Sequence, residues 1–301
     1  MDRWTIEDAP RQDGNVVLVT GGASGIGFQA ARAMGAKGAR VVIAARDPNK
    51  GELAATKLRE AAPGGDFTFV VLDLANVRSI GDFARHFIAK TERLDVLMNV
   101  AGVMALPKRT LTTDGFEMHM GTNHLGHFAL TGALLPALRR ARGRVVVVSA
   151  LVAKFAKLDV ADLQSERDYA PMRAYGRSKL ANVLFAVELN RRVATTGVAS
   201  VPVDPGTANT GLQRHTGTGG GLGSALIDLI GYPLDRVADN LVFAATVATP
   251  GDETYIGPSR IIQRWAQPAY IALPKPARDA ALRDALWRRS EELTGTTFDL
   301  G

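Results

Sequence analysis

Six short apolar runs, each followed by a longer stretch of helical periodicity or by a turn, constrain this chain more than any other feature. They are "NVVLVTGG" (15–22), "ARVVIAAR" (39–46), "FTFVVLD" (67–73), "LDVLMNVAG" (94–102), "GRVVVVSA" (143–150) and "VASVPVDPG" (198–206). Runs of Val, Ile and Leu with little polar alternation mark strands buried on both faces. Helical patterns separate them at 24–38, 48–62, 76–91, roughly 114–141 and about 172–195. In the first, Ile26, Ala30, Ala33 and Met34 share one face and Gly38 closes the helix. In the second, Asp47 is read as the N-cap, Pro48 as a first-turn residue, and Pro63-Gly64-Gly65 as the stop. The alternation predicts an α/β fold: a Rossmann-type doubly wound parallel sheet in a single domain over 1–301. Ligands of such a sheet bind beyond the carboxyl ends of its strands.

Composition narrows the function. The 301 residues include no cysteine, which excludes a disulfide framework, a thiolate nucleophile and a cysteine-ligated metal. His119, His124 and His127 lie close together without a zinc signature and are read as non-ligands. The net charge of +6 is scattered, with no basic run or tail, so it suits a polyanionic cofactor better than nucleic acid. The opening "MDRWTIEDAPRQDG" has no apolar signal core, and no run reaches the ~18 apolar residues of a membrane span. A cytoplasmic protein acting on a small molecule is expected.

The first strand runs into Thr20-Gly21-Gly22-Ala23-Ser24-Gly25-Ile26-Gly27. Gly21 permits a tight turn, and Gly25 and Gly27 let a pyrophosphate approach the helix N-terminus. The second strand ends Ala44-Ala45-Arg46-Asp47. An acidic residue at that end would bind a ribose 2′-hydroxyl, whereas an arginine suits a 2′-phosphate. Arg46 therefore favours NADP(H), with NAD(H) possible. Asp73 and Leu74 after the third strand, and Asn99, Ala101 and Gly102 after the fourth, would lie beside the dinucleotide. Tyr175 and Lys179 stand four apart on a helix and so share a face. An ammonium beside a buried phenol should lower its pKa toward neutrality and make it a usable acid or base.

Together these pieces resemble the short-chain dehydrogenase/reductase family, over about residues 14–295. The matching stretches are TGGASGIG (20–27), VLDL (71–74), NVAG (99–102), GTNHLGHF around Asn123, YGRSK (175–179) and DPGTANT (204–210). Within the family the chain looks most like the retinol-dehydrogenase and protochlorophyllide-reductase-like group, on "RDPNKGE", "TNHLGHFALT", "YGRSKLANVLFAVEL" and "YIGPS". The resemblance implies that Tyr175 exchanges a proton with the substrate oxygen and that Lys179 binds the nicotinamide ribose. Asn123, in the long helix, would hold a water behind Lys179. Gly21, Ser24, Ile26, Arg46, Asp73, Leu74, Asn99, Ala101 and Gly102 would line the dinucleotide, with Pro205, Gly206 and Thr207 near the nicotinamide.

Two positions depart from the family pattern. Val100 replaces an asparagine. The fifth strand ends Val148-Ser149-Ala150 where the group has Val-Ser-Ser, and the second serine is the catalytic one. Ungapped register puts Ala150 at that position. Strand side chains alternate faces, so Ser149 could serve only if a bulge re-aimed it. The expected activity is NADP(H)-dependent hydride transfer to or from a small lipophilic or polyketide-like alcohol, ketone or aldehyde. Two alternatives stay open: cyclase or isomerase chemistry on the same scaffold, and a non-enzymatic dinucleotide sensor. The cofactor and catalytic core is assigned to 14–206 and a substrate lid to 207–240, where Gly and Thr abound. An amphipathic C-terminal helix over 277–294 should be closed by Gly295. Monomer and homodimer remain open.

Overall fold

The computed structural model of the protein describes residues 4–206, 236–260 and 263–300. The six apolar runs form strands β1 (Val16–Thr20), β2 (Arg40–Ala45), β3 (Asp66–Val71), β4 (Val96–Asn99), β5 (Arg144–Val148) and β6 (Ala199–Val203). They pair in parallel, and two short strands, β7 (Ile256–Pro258) and β8 (Pro268–Tyr270), complete the sheet in the order β3-β2-β1-β4-β5-β6-β7-β8. Among the described strands, only β8 runs antiparallel to its neighbour. The strand order reverses between β1 and β4, which is where a crevice opens at the strand ends of such a sheet.

Strand alternation divides the core between the two faces. Val17, Val19, Val146 and Val148 pack with α1 (Gly25–Ala36), α2 (Pro48–Ala61) and α6 (Asp239–Thr246). Val16, Leu18, Val145 and Val147 pack with α3 (Val77–Lys90), α4 (Gly126–Ala141) and α5 (Pro171–Arg192). Helix layers on both faces account for the nearly uninterrupted hydrophobicity of the strands. Asp47 caps α2 by accepting from the Lys50 N–H, as expected. Among the described residues, no helix is long and apolar enough to cross a membrane.

Several features differ from the sequence expectation. The helix expected from 114 starts later, because Leu111 and Glu117 form an antiparallel bridge and the Glu117 carboxylate caps the following turn through the N–H groups of His119 and Met120. Met120–Leu125 then winds as a π-helical turn, so Asn123 lies in that turn rather than in a regular α-helix. Strands β7 and β8 escaped notice because each has three residues and both contain proline. The lid assignment, 207–240, falls outside the described residues except for 236–240, where a turn leads into α6.

The C-terminal helix, α7 (Ala280–Thr294), starts under an Asp279 cap and ends on Gly295 at φ +63°. It lies against α4 and α5 through an aromatic cluster. Trp287 is 5.1 Å from Phe128 between ring centroids, and Phe298 is 4.5 Å from Trp287. Glu188 of α5 takes Arg192 at 2.8 Å and Arg283 at 3.4 Å, tying the two segments together.

Two buried histidines join these layers. His127 Nδ1–H donates to the Asn123 carbonyl at 2.9 Å, so its Nε2 accepts the Thr20 hydroxyl proton at 2.9 Å. The Ser290 hydroxyl donates to the Leu286 carbonyl, so His124 Nε2–H donates to Ser290 Oγ at 2.9 Å. Burial pushes His127 down to about 4 and His124 to about 3. An unfolded histidine titrates near 6.5, so between about pH 6.5 and 4 the unfolded chain takes up protons that the folded chain does not. Stability is therefore complete above about 6.5 and declines as pH falls, by about 3 kcal/mol from His127 alone. Urea unfolding at about pH 7.5 and 4.5 should show a lower midpoint in acid, and His127→Gln should flatten that slope.

Candidate active site

The carboxyl ends of β1 to β6 open onto one cleft of about 1010 Å³. Its first wall is the glycine turn. A Cβ on Gly27 would lie 2.5 Å from the Gly21 carbonyl oxygen, so only glycine lets α1 begin this close to the turn. Ser24, the N-cap of α1, makes no side-chain cap bond, which leaves the N-terminal N–H groups of the helix at the cleft. Such an end favours an anion. Arg46, at the end of β2, and Lys50, one turn into α2, stand exposed at the rim. Asp73, Leu74, Ala101, Gly102, Pro205 and Gly206 also line the cleft. Asp73 shapes its own turn by accepting from the Ala75 N–H at 3.0 Å.

Tyr175 and Lys179 lie on the opposite wall, on the buried first turns of α5. Lys179 Nζ is 5.9 Å from the centre of the Tyr175 ring and donates to the Val148 carbonyl at 3.2 Å. The expected lowering of the phenol pKa is reversed. Burial raises Tyr175 above its ordinary value, and the nearby Asp204 carboxylate adds to the rise. Burial also lowers Lys179 to about 8. The reason is geometric: the ammonium points at a β5 carbonyl, and desolvation penalises both charges.

The remaining predicted polar residues divide. A Cβ on Gly102 would lie 3.0 Å from Asn123 Oδ1 and 3.5 Å from Lys179 Nζ, so this glycine lets both groups crowd the β4 exit. The Asn123 side chain is fully engaged behind the cleft: Oδ1 accepts from the Val103 N–H, and Nδ2 donates to the Val103 carbonyl and to Ser178 Oγ. Asn99 is buried beneath the cleft rather than along it, donating to Thr131 Oγ1 at 3.0 Å.

Ser149 borders the cleft, with its hydroxyl already engaged by α5. It is 1% exposed and its Oγ donates to the Lys179 carbonyl at 2.8 Å. No bulge re-aims it, because the regular β5–β6 ladder continues through the Ser149 N–H to the Val203 carbonyl. Ala150 follows in extended conformation and is partly exposed at the cleft. Thr207 lies outside the described residues.

Sequence reading missed several lining residues. Lys50 could have been found from its place one helical turn after Asp47. Met104, Met118, Leu151 and Met172 carry no motif, and only the fold brings them to one wall. Leu151 and Met172 are 43% and 50% exposed, which gives the cleft an apolar rim.

The family described as short chain dehydrogenase matches residues 15–221. Human retinol dehydrogenase 12 is 46% identical over 204 residues, covering 67% of this chain and 64% of that protein's length. The chain thus spans a little under two thirds of this relative. Human polyprenol dehydrogenase is 36% identical over 294 residues, covering 95% of this chain and 86% of that protein. Among solved structures, a putative uncharacterised protein from Mycobacterium Paratuberculosis superposes with a TM-score of 0.81 at 35% identity, covering 99% of both chains. With its switch-point cleft, glycine turn and buried Tyr175–Lys179 pair, the chain belongs to the short-chain dehydrogenase family, in the retinol-dehydrogenase-like group.

Proposed function

We propose that this protein is an NADP(H)-dependent oxidoreductase that transfers a hydride between the nicotinamide and a carbonyl or carbinol carbon of a small lipophilic substrate. The observation that carries the reading is a single cleft joining the glycine turn, two rim cations and the buried Tyr175–Lys179 pair. The residues fit a dinucleotide, because a Cβ at Gly27 would close the space beside the uncapped end of α1. Gly21, Ser24, Gly25, Ile26 and Gly27 would hold the pyrophosphate, with Asp73, Leu74, Ala101 and Gly102 along the dinucleotide. Pro205 and Gly206 would border the nicotinamide, which when bound supplies the hydride chemistry.

Arg46 and Lys50 would take the 2′-phosphate. In carbonyl reduction Tyr175 would give its phenolic proton to the substrate oxygen, and in oxidation it would take that proton back. Its raised pKa keeps the phenol protonated at neutral pH, so the proton needed for reduction is in place. Lys179 would orient the ribose as an ammonium and supply positive charge beside the phenol. Met104, Met118, Leu151 and Met172 make an apolar wall, which favours an aliphatic or polyene aldehyde or ketone. The names of the two human relatives point the same way.

Ala150 supports a second reading, in which Tyr175 performs acid–base cyclisation or isomerisation without net redox change. Incubation with NADPH and butanal, decanal or all-trans-retinal separates the two. The oxidoreductase reading expects loss of reduced-nicotinamide absorbance with formation of the alcohol. NADPH binding without turnover of any of the three overturns it.

Three outcomes follow for the oxidoreductase. Arg46→Ala should weaken NADPH binding by roughly tenfold and leave NADH within about twofold, measured by nicotinamide fluorescence titration. Ala150→Ser should raise kcat by on the order of tenfold to a hundredfold by restoring a donor beside the substrate oxygen. An unchanged kcat would show a site built around alanine. Because Lys179 titrates near 8, it is an ammonium below that pH and neutral above it. The pH profile of kcat/KM for carbonyl reduction should therefore fall above about pH 8, and Lys179→Arg should move that limb beyond the measurable range.

A further inference from the structure

The loop that leaves β4 is held at both ends by side chains. At Val103 the N–H donates to Asn123 Oδ1 at 2.8 Å and the carbonyl accepts from Asn123 Nδ2 at 3.0 Å. At Leu106 the N–H donates to His119 Nε2 at 3.3 Å and the carbonyl accepts from the Tyr169 hydroxyl at 2.7 Å. Between these clamps Ala105 sits at φ +50°, in the left-handed region. An alanine adopts that conformation only where its surroundings impose it. Met104, next to it, lines the cleft that contains Tyr175.

The clamp at Leu106 is itself built. His119 is fully buried, and its Nδ1–H donates to Glu117 Oε1 at 2.7 Å. Acceptance of the Leu106 N–H at Nε2 requires this neutral tautomer. Glu117 is 1% exposed, and its charge is met by His119 Nδ1–H and by the N–H groups of His119 and Met120. The His119 ring lies 6.3 Å from the Tyr169 ring and 6.2 Å from the Tyr175 ring. One imidazole thus joins the loop to the phenol.

From this we infer that Met104 is a specificity-determining side chain, presented to the cleft by a strained loop that His119, Tyr169 and Asn123 hold in place. Glu117 and His119 are positioning residues. A methionine on a yielding loop would move aside for any substrate. On a loop fixed at four backbone groups its volume is part of the site, so substrates that differ in bulk beside the carbonyl carbon are told apart. The inference rests on the oxidoreductase reading.

The test compares hexanal with cyclohexanecarbaldehyde, which differ in bulk at that carbon, using NADPH and the whole chain. Met104→Ala is expected to shift the ratio of their kcat/KM values toward the bulkier aldehyde by on the order of tenfold. His119→Asn keeps a donor for Glu117 but loses the acceptor for Leu106, and is expected to pull the ratio about threefold toward unity. His119→Gln, which can still accept at the ε position, should restore most of it. NADPH affinity should stay within about twofold in all three. Tyr169→Phe keeps the ring and loses only the hydroxyl, so it tests the clamp even if the buried His119 variants fail to fold. Amide hydrogen exchange over residues 103–108 should quicken in His119→Asn and Tyr169→Phe while α5 is unaffected. A parental ratio in Met104→Ala overturns the inference, as does a parental ratio with parental exchange in both Tyr169→Phe and a folded His119→Asn. If the parent reduces neither aldehyde, nor butanal, decanal or all-trans-retinal, the functional reading fails instead, and hydrogen exchange alone decides whether the loop is clamped.

Discussion

The hydroxyl of Thr20 sits where the sheet divides, and the cleft depends on it. It is 1% exposed, at the last position of β1. Its lone pairs accept from the N–H groups of Val100 at 2.8 Å and Ala101 at 3.1 Å, just past β4, and its proton goes to His127. Parallel strands that diverge leave backbone groups with no ladder partner, and buried ones must find another. One side chain satisfies two such groups here. Through His127 it also reaches the Asn123 carbonyl in the π-helical turn. The floor of the dinucleotide site, the exit of β4 and the turn behind Lys179 are therefore parts of one hydrogen-bonded unit. The bond from Thr20 to His127 Nε2 requires the neutral imidazole that burial enforces.

Legibility in the sequence followed the range of the forces involved. The six parallel strands were readable because burial on both faces leaves a local signature. The Asp47 and Gly295 caps were readable because capping acts within one turn. The place of Arg46 on the cleft was readable because it directly follows β2. Contacts set by distant packing left no such mark. Nothing near Thr20 announces His127, 107 residues away. The π-helical turn depends on Glu117 folding back onto two N–H groups, and β7 and β8 depend on a sheet edge already being present. The Tyr175–Lys179 spacing was read correctly as a shared face, but the sign of the phenol's shift was not. Spacing fixes proximity, whereas the balance between an ammonium and desolvation depends on where the ammonium points.

That direction is set by β5. The Val148 carbonyl, at the end of the strand, accepts from both Lys179 Nζ and Asn182 Nδ2. One residue on, the Ser149 hydroxyl donates back to the Lys179 carbonyl. These three bonds join the strand to α5 next to the residues that carry the proposed chemistry. By strand alternation Ser149 falls on the face of β5 shared by Val145 and Val147, with its hydroxyl on α5, and both Ser149 and Ala150 border the cleft.

The same helix explains why the C-terminal segment matters to a site it never touches. From Ala174 to Leu189 almost every residue of α5 is buried, so its position is determined from several sides. On the outer side, α7 and the segment after it press Trp287 and Phe298 onto Phe128 and Phe185. Glu188, 2% exposed at its side chain, holds arginines from both helices. A buried carboxylate left without those partners would be strongly destabilising, which makes the contact specific in register as well as cohesive. Gly132 of α4 allows the same approach, since a Cβ there would meet Thr296 at 2.6 Å. Tyr175 and Lys179 are thus oriented by two opposed supports, β5 on the inner side of α5 and the C-terminal helix on the outer. An error in either would reach the phenol through one rigid helix.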